Sequence, residues 1–207
     1  MLDQQIYALT EPTELRTLIE AHGWVTLVSA LGHGDPQISH LPLITEPDAD
    51  GLTVVGHLAR TDALRHELGA HDVAVVVEGP NGYISPTMYQ VGPHVPTWNF
   101  VVAHLYGRPT LLGEEETYDV LRRTVDHFEA VRPRPWRLDS VTEYARALAG
   151  HTTAFRLRPS RVVGKRKLSQ EEPREVALRV MDALDGETPH GNPALAEAMR
   201  QVLVPGE

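Results

Sequence analysis

The feature that most constrains this chain is a succession of short β-rich runs separated by turn residues. WVTLVSA, QISHLPLI, LTVVGHL and DVAVVVE follow one another between residues 24 and 78, and the last run is expected to end at Gly79-Pro80. Strands this close together favour antiparallel pairing, because a parallel pair needs a crossover of roughly a dozen residues or more. We therefore predict an α+β fold in which an antiparallel β-barrel carries peripheral helices.

Beyond these runs, the chain predicts a loop, one long strand and a helix. Residues 79–99 lack clear periodicity and are expected to form a long loop. The strand covers Asn99–Leu112 and is expected to bend or bulge at Gly107 and Pro109. Apolar periodicity predicts a helix over Glu114–Val131. Its expected buried stripe consists of Tyr118, Leu121, Val125 and Phe128.

Two amphipathic helices are predicted near the C-terminus, over Glu175–Leu184 and Asn192–Leu203. The stretch Gly186–Pro193 between them is rich in Pro and Gly and is the one plausible linker. We therefore assign residues 1–185 to the barrel domain and residues 186–207 to a linker with a C-terminal helix.

Composition excludes several classes of site. The chain has no cysteine, which rules out disulfides, thiolate metal sites and iron–sulfur clusters. Its 28 acidic and 19 basic residues give a net charge of −9, which disfavours nucleic acid as a partner. No apolar run approaches the roughly 18 residues that cross a bilayer, and the N-terminus lacks a signal-peptide pattern. We expect a cytoplasmic protein without a membrane partner.

The segment GHLAR, residues 56–60, is a candidate ligand site where a strand opens into a short helix. Gly56 permits a close backbone approach, and Arg60 beside a helix N-terminus suits an anion. His57 can bind a ligand, but it can equally be a neutral histidine bonded to a backbone carbonyl. The residues leave both interpretations open.

Two further clusters can contact a ligand. In the loop of residues 79–99, Ser85 supplies a hydroxyl, and Tyr89 or Trp98 can stack on a flat ring system. The alternative is a packed crossover whose aromatic side chains fill the end of the barrel. GKRKLSQ, residues 164–170, can bind a phosphate, a carboxylate or a haem propionate, or can be a solvated basic turn.

Taken together, SHLPLI, GHLAR, GPNGYISPTMY, VPTWNFVVAHLYG and GKRKLSQ resemble the PaiB-like family, often described as FMN-binding negative transcriptional regulators. The resemblance runs from about Ile6 to Leu184, with these motifs in the same order. It implies a split β-barrel like that of pyridoxamine-phosphate oxidases. It also implies a homodimer with its cofactor near the subunit interface.

One branch of the family consists of piperazate synthases, which are haem-dependent enzymes that cyclise N5-hydroxy-L-ornithine to L-piperazate with loss of water. On this interpretation the cofactor is haem b, the substrate is amino-acid-like, and His57 binds the iron, with His66 as the second candidate. The residues expected to be catalytic are Ser85, Tyr89, His104 and Lys167. The residues expected to contact the cofactor are His57, Arg60, Trp98, Asn99, Lys165 and Ser169.

The other members of the family imply an FMN-binding transcriptional regulator or a flavin-dependent oxidoreductase. In that case Arg60 and the GKRK turn bind the FMN phosphate, and Trp98 borders the isoalloxazine ring. The chain departs from the regulators' pattern, for example at Thr61-Asp62 after GHLAR and at Glu171-Glu172 after KLSQ. We therefore take the haem-dependent enzyme as the main prediction and the flavin protein as the alternative.

Overall fold

A computed structural model describes residues 4–32, 34–47 and 51–204. Within these residues the strands are β1 (Ala8–Leu9), β2 (Trp24–Ser29), β3 (Gln37–Glu46), β4 (Thr53–Ala59), β5 (Val73–Ile84), β6 (Thr97–Gly107), β7 (Thr110–Leu111), β8 (Thr152–Leu157) and β9 (Arg161–Lys167). The helices are α1 (Pro12–Ala21), α2 (Arg60–Arg65), α3 (Pro86–Tyr89), α4 (Glu114–Glu129), α5 (Thr142–Ala149), α6 (Arg174–Asp185) and α7 (Pro193–Leu203). Short 3₁₀ helices cover Gln5–Tyr7 and Leu138–Val141.

The chain divides into two compact units. The terminal unit comprises Met1–Thr10, Glu78–Ala103 and Val163–Glu207. The central unit comprises Glu11–Val77 and His104–Val162. The predicted C-terminal segment, residues 186–207, falls within the terminal unit together with residues of the predicted barrel domain.

The central unit is built on antiparallel strand pairs in the order β5–β2–β3–β4–β8–β7. The predicted hairpin of β2 and β3 is present, with Leu27 opposite Ser39. Side chains of β2 alternate, so that Val25 and Leu27 are buried while Trp24 is exposed. This period of two is what one buried sheet face requires.

The terminal unit contains the antiparallel pair β1–β9 and the helices α3, α6 and α7. Its core includes Ile84, Leu168, Leu184, Leu195 and Met199, all buried. The predicted linker connects α6 to α7, and Asn192 caps α7 by accepting a hydrogen bond from the Leu195 amide.

Two sequence predictions need correction around residue 79. The strand β5 does not end at Gly79-Pro80 but continues to Ile84, whose side chain is fully buried in the core of the terminal unit. The predicted loop therefore consists of the end of β5, the short helix α3 and the start of β6. Burial of Ile84 overrides the local turn signal, which a sequence pattern cannot anticipate.

The strand predicted over Asn99–Leu112, with a bend or bulge at Gly107 and Pro109, instead ends at Gly107. A side chain at Gly107 would meet the Arg158 carbonyl oxygen and the Ser160 amide nitrogen at 3.2 Å, so the backbones approach closely there. The chain resumes as β7, which pairs with β8. The single predicted strand is therefore two strands, with the break at the glycine and Pro109.

The orientation of α4 also differs from the prediction. Val120 packs in a buried cluster with Ile44, Val55 and Ala154 of the sheet. The predicted stripe only partly coincides with this face, because Phe128 is 44% exposed. The residues of α4 that are buried are Thr117, Tyr118, Val120 and Thr124.

The fold class is the predicted one, an α+β antiparallel split β-barrel with peripheral helices. Among the residues that the structure describes, no helix combines the length and the apolar character needed to span a bilayer. The cytoplasmic location stays a prediction.

An ion-pair cluster joins α4 to the sheet of the central unit. The Glu46 carboxylate at the end of β3 accepts hydrogen bonds from Arg156 of β8 at 3.2 Å and from Arg123 of α4 at 3.0 Å. The hydrogen bond from Arg156 is the main cause that lowers the pKa of Glu46, and burial opposes it. All three side chains are mostly covered, so solvent screens them less than a surface pair.

We expect Glu46→Gln to lower the free energy of unfolding by about 1–3 kcal/mol, because both guanidinium groups lose a charged acceptor. Since the folded-state pKa of Glu46 is lowered from 4.5, this stabilisation is present above pH 4.5 and is lost as the pH falls through the lowered value. Urea unfolding at pH 7 and pH 3 measures both effects.

The matched control is Glu115→Gln, which removes an exposed ion pair between Glu115 of α4 and Arg146 of α5. We expect that variant to unfold close to the unmodified chain. An equal loss of stability in the two variants would contradict a structural role for the Glu46 cluster.

Candidate functional site

A cavity of about 700 Å³ lies within the central unit. It is lined by Trp24, Pro42, His57, Leu121, Thr124, Val125, Phe128, Glu129, Trp136, Leu138, Ala145, Leu148 and Thr152. Most of these side chains are apolar, and no lysine or arginine is among them. Its volume and apolar walls are typical of a site for a small organic ligand or cofactor.

The wall contributed by α4 explains the misassigned stripe. Because Val120 packs on the sheet, the neighbouring Leu121, Thr124, Val125 and Phe128 line the cavity. The helix therefore has an apolar face wider than packing on the sheet requires. The extra width of the apolar face was the sequence signal for a cavity wall, whereas the sequence pattern predicted that these residues are buried in the core.

His57 lies on β4 opposite Ala154 of β8 and contributes its side chain to the cavity wall. Its Nδ1 atom is buried and has no hydrogen-bond partner. Burial lowers the pKa of His57 from 6.5 to about 4, so the imidazole is neutral at neutral pH. A neutral imidazole with an unpaired nitrogen is a potential metal ligand.

The adjacent glycine has a different role from the predicted one. A side chain at Gly56 would meet Leu41 at 2.9 Å and Leu43 and Phe155 at 3.0 Å. The close approach at Gly56 is therefore to side chains in the core of the sheet and not to a ligand. The absence of a side chain at Gly56 lets β3, β4 and β8 pack closely beside His57.

His66, the second candidate for the iron ligand, is buried and held at both ring nitrogens. Its Nδ1 lies 2.8 Å from the Ser29 hydroxyl, and its Nε2 lies 3.0 Å from the Ser39 hydroxyl. Burial lowers the pKa of His66. Binding a metal would require His66 to give up one of these hydrogen bonds, whereas His57 Nδ1 has none to lose.

Two other predicted residues of the central unit do not line this cavity. Arg60 is exposed at the start of the six-residue helix α2. His104 is half-buried on β6, where its Nδ1 lies 3.5 Å from the Tyr106 hydroxyl. Neither Arg60 nor His104 therefore lines the cavity that His57 lines.

A second cavity, of about 460 Å³, lies within the terminal unit and is lined by Tyr89, Pro93, His94, Val95, Thr97, Lys167, Glu171 and Glu172. The Lys167 ammonium donates to the Thr97 hydroxyl at 2.7 Å and to the Trp98 carbonyl at 3.4 Å. It also lies 3.7 Å from the Glu171 carboxylate. Of the predicted residues, Tyr89 and Lys167 thus share one cavity.

The predicted residues around Tyr89 have mainly structural partners. The Ser85 side chain caps α3 by accepting a hydrogen bond from the Thr87 amide at 3.3 Å. Asn99 is buried, and its Nδ2 donates to the Ser169 hydroxyl at 2.9 Å. The Asn99 Oδ1 atom is buried without a partner. The structure therefore joins Asn99 and Ser169, while Ser85 serves the local backbone.

Lys165 and Trp98 differ in exposure. Lys165 is only 9% exposed, and its ammonium lies 5.2 Å from the centre of the Tyr7 ring, a cation–π distance. Trp98 is 50% exposed, and its indole N–H donates to the Asn81 side-chain oxygen at 3.4 Å. Trp98 is accordingly the more accessible of the two to a ligand ring.

Sequence reasoning missed several residues that line the two cavities. Trp24 and Trp136 line the central cavity, and His94 and Glu172 line the terminal one. Glu171-Glu172 departs from the pattern of the regulators, and this departure was the available sequence signal for the lining of the terminal cavity. Within the described ranges, no group of three or more His, Asp or Glu side chains is arranged to hold a bare metal ion.

Comparison with known proteins places this geometry in a family. Among curated proteins, "Protease synthase and sporulation protein PAI 2" of Bacillus subtilis is 27% identical over 200 residues, covering 95% of each chain. The flavocytochrome Anf3 of Azotobacter vinelandii matches with a TM-score of 0.59 and 17% identity, over 80% of this chain and 72% of that one. An FAD and haem binding protein of Mycobacterium smegmatis matches with a TM-score of 0.59 and 15% identity, over 83% of this chain and 78% of that one.

Residues 1–161 match the family described as "Putative FMN-binding domain". That match covers well over half of the chain, and the similarity to PAI 2 runs along nearly all of it. The resemblance drawn from the sequence motifs is thereby confirmed: the chain belongs to this FMN-binding-domain family of split β-barrels.

Proposed function

We propose that the central cavity binds haem b with His57 as the axial ligand, and that the protein acts as a homodimeric, haem-dependent enzyme on an amino-acid-like substrate. The observation that carries the proposal is the neutral His57 imidazole, whose buried Nδ1 is unpaired at the wall of an apolar cavity. A buried polar atom without a partner is uncommon in folded proteins, and a bound group that pairs with it would remove the penalty.

The walls of the cavity suit the porphyrin ring. Trp24, Phe128 and Trp136 offer apolar area to a flat macrocycle, while the propionates can remain in water. An isoalloxazine ring carries several hydrogen-bonding atoms that such walls would leave unpaired. Two neighbours of the same fold are named as a flavocytochrome and as an FAD and haem binding protein, which supports haem as a ligand of this architecture.

The reaction that the family resemblance implies is the cyclisation of N5-hydroxy-L-ornithine to L-piperazate. An N–N bond forms, an N–O bond breaks and one water leaves, so no oxidant or reductant is needed. Haem would supply a Lewis acid for the leaving oxygen. His57 would hold the iron, and the apolar walls from α4 and α5 would keep bulk water from the reacting atoms.

A flavin protein is the second candidate, and the family match favours it directly. The family is described by FMN binding, and the similarity to PAI 2 covers 95% of each chain. The exposed Trp98 ring would then contact FMN. The activity would be that of a transcriptional regulator or of a flavin-dependent oxidoreductase.

We expect the haem-loaded chain to show a Soret band that His57→Gly abolishes, because the variant lacks the proposed axial ligand. Added imidazole is expected to restore the band, since it can occupy the space vacated by the side chain. His40→Ala, at an exposed position of β3, is the control and is expected to keep the band. A yellow protein with flavin absorption and no Soret band would overturn the haem proposal in favour of the second candidate.

The neutral state of His57 predicts a pH dependence of stability for the cofactor-free chain. Its folded-state pKa of about 4 lies below the ordinary 6.5, so the unfolded chain takes up the proton first as the pH falls. Stability is therefore full above pH 6.5 and is lost between about pH 6.5 and 4, by about 2 kcal/mol between pH 7 and pH 5. His57→Leu is expected to remove that part of the loss in urea unfolding, and an unchanged loss would contradict burial of His57.

The enzymatic part has a separate test. Haem-loaded protein incubated with N5-hydroxy-L-ornithine is expected to yield a product lighter by one water, detected by mass spectrometry. The His57→Gly variant without imidazole is expected to leave the substrate unchanged. If the unmodified haem-loaded chain also leaves it unchanged, the proposal reduces to haem binding alone.

A further inference from the structure

The cavity of the terminal unit has a charge pattern that neither proposed cofactor explains. It presents one ammonium from Lys167, two carboxylates from Glu171 and Glu172, and the ring of His94. Apart from the His94 ring, the lining carries one positive and two negative charges. A phosphate would meet both carboxylates beside the single ammonium, so this cavity disfavours simple anions.

The turn that follows β9 brings the two carboxylates to one cavity. Gln170 braces it, because its side-chain oxygen accepts a hydrogen bond from the Leu168 amide at 2.6 Å and its amide donates to the Arg166 carbonyl at 2.8 Å. Ser169 adopts a left-handed conformation with φ of 61°. Consecutive residues on a regular strand would face opposite sides, whereas this turn lets Glu171 and Glu172 line the same cavity.

Hydrogen bonds within the protein hold the Lys167 ammonium in place. Two of its three donors are directed to the Thr97 hydroxyl and the Trp98 carbonyl. The Glu171 carboxylate, at 3.7 Å, is too far for a strong hydrogen bond. One donor of a fixed ammonium is thus available to a ligand carboxylate.

The two carboxylates differ in their partners. The Glu171 carboxylate accepts a hydrogen bond from the Tyr7 hydroxyl, whereas the Glu172 carboxylate lies 3.8 Å from the His94 ring nitrogen. The His94 ring stacks on Tyr89 with the ring centres 4.1 Å apart and the planes 13° from parallel. The stacked pair forms a flat wall beside the charged groups, which suits an aliphatic side chain.

We infer that the terminal unit contains a binding site for α-amino acids, in which Lys167 binds the ligand carboxylate and Glu171 and Glu172 bind its α-ammonium group. Opposite charges on adjacent ligand atoms match the cation and the two anions of the lining. The site requires no haem, so it can be tested separately from the proposed function.

Isothermal titration calorimetry on the full chain tests the site with three probes. L-norvaline carries both charges, pentanoate lacks the ammonium, and n-butylamine lacks the carboxylate. We expect L-norvaline to bind and each of the other two to bind at least about tenfold more weakly, because each leaves one charged group of the cavity unpaired. Absence of L-norvaline binding, or equal binding of all three probes, would overturn the inference.

Two variants assign the charges to residues. Glu172→Gln is expected to weaken L-norvaline about tenfold without weakening pentanoate, which loses a repelling carboxylate, and Lys167→Gln is expected to weaken L-norvaline without weakening n-butylamine, which loses a repelling ammonium. Glu187→Gln, at an exposed glutamate of the same unit, is the control and is expected to bind like the unmodified chain.

Thermal unfolding checks that each variant is folded. If Lys167→Gln fails to fold because it loses the Thr97 and Trp98 contacts, the comparison of L-norvaline binding between Glu172→Gln and the unmodified chain tests the inference. L-norvaline binding that is unchanged in the folded Glu172→Gln chain contradicts the assignment. The titrations are repeated after haem loading, and a missing Soret band with intact L-norvaline binding would overturn the proposed function while leaving this site in place.

Discussion

The central cavity depends on how α4 is held against the sheet. Val120 packs on Ile44, Val55 and Ala154, and Arg123 of the same helix shares the Glu46 carboxylate with Arg156. These contacts set the rotation of the helix about its axis. At this rotation an apolar face remains that packing on the sheet does not use, and that face lines the cavity beside His57.

The environment of His57 combines two effects that reinforce each other. Burial keeps the imidazole neutral, and its buried Nδ1 has no protein partner. His66, in the same unit, is also buried but has hydroxyl partners at both nitrogens. The contrast between a satisfied and an unsatisfied histidine is what makes His57 the stronger candidate for binding a cofactor.

The site residues predicted from the sequence divide between the two units. His57, Arg60 and His104 belong to the central unit, while the others belong to the terminal unit. The motif GKRKLSQ was expected to be an anion-binding turn or a solvated basic turn. Instead Lys165 is buried beside Tyr7, and Lys167 is surrounded by a hydroxyl, a carbonyl and a carboxylate. The two lysines thus have different surroundings, although residues two apart on a regular strand face the same side.

The sequence by itself determined the fold class, the hairpin of β2 and β3 and the membership of an FMN-binding-domain family. Those conclusions rest on periodicity, turn residues and motif order, which are properties of neighbouring residues. Only the tertiary structure decided that β5 continues to Ile84, that part of the α4 stripe is cavity wall, and that Glu171 and Glu172 share a cavity with Lys167. Burial and unpaired polar atoms arise from contacts between residues far apart in the chain, which local patterns do not encode.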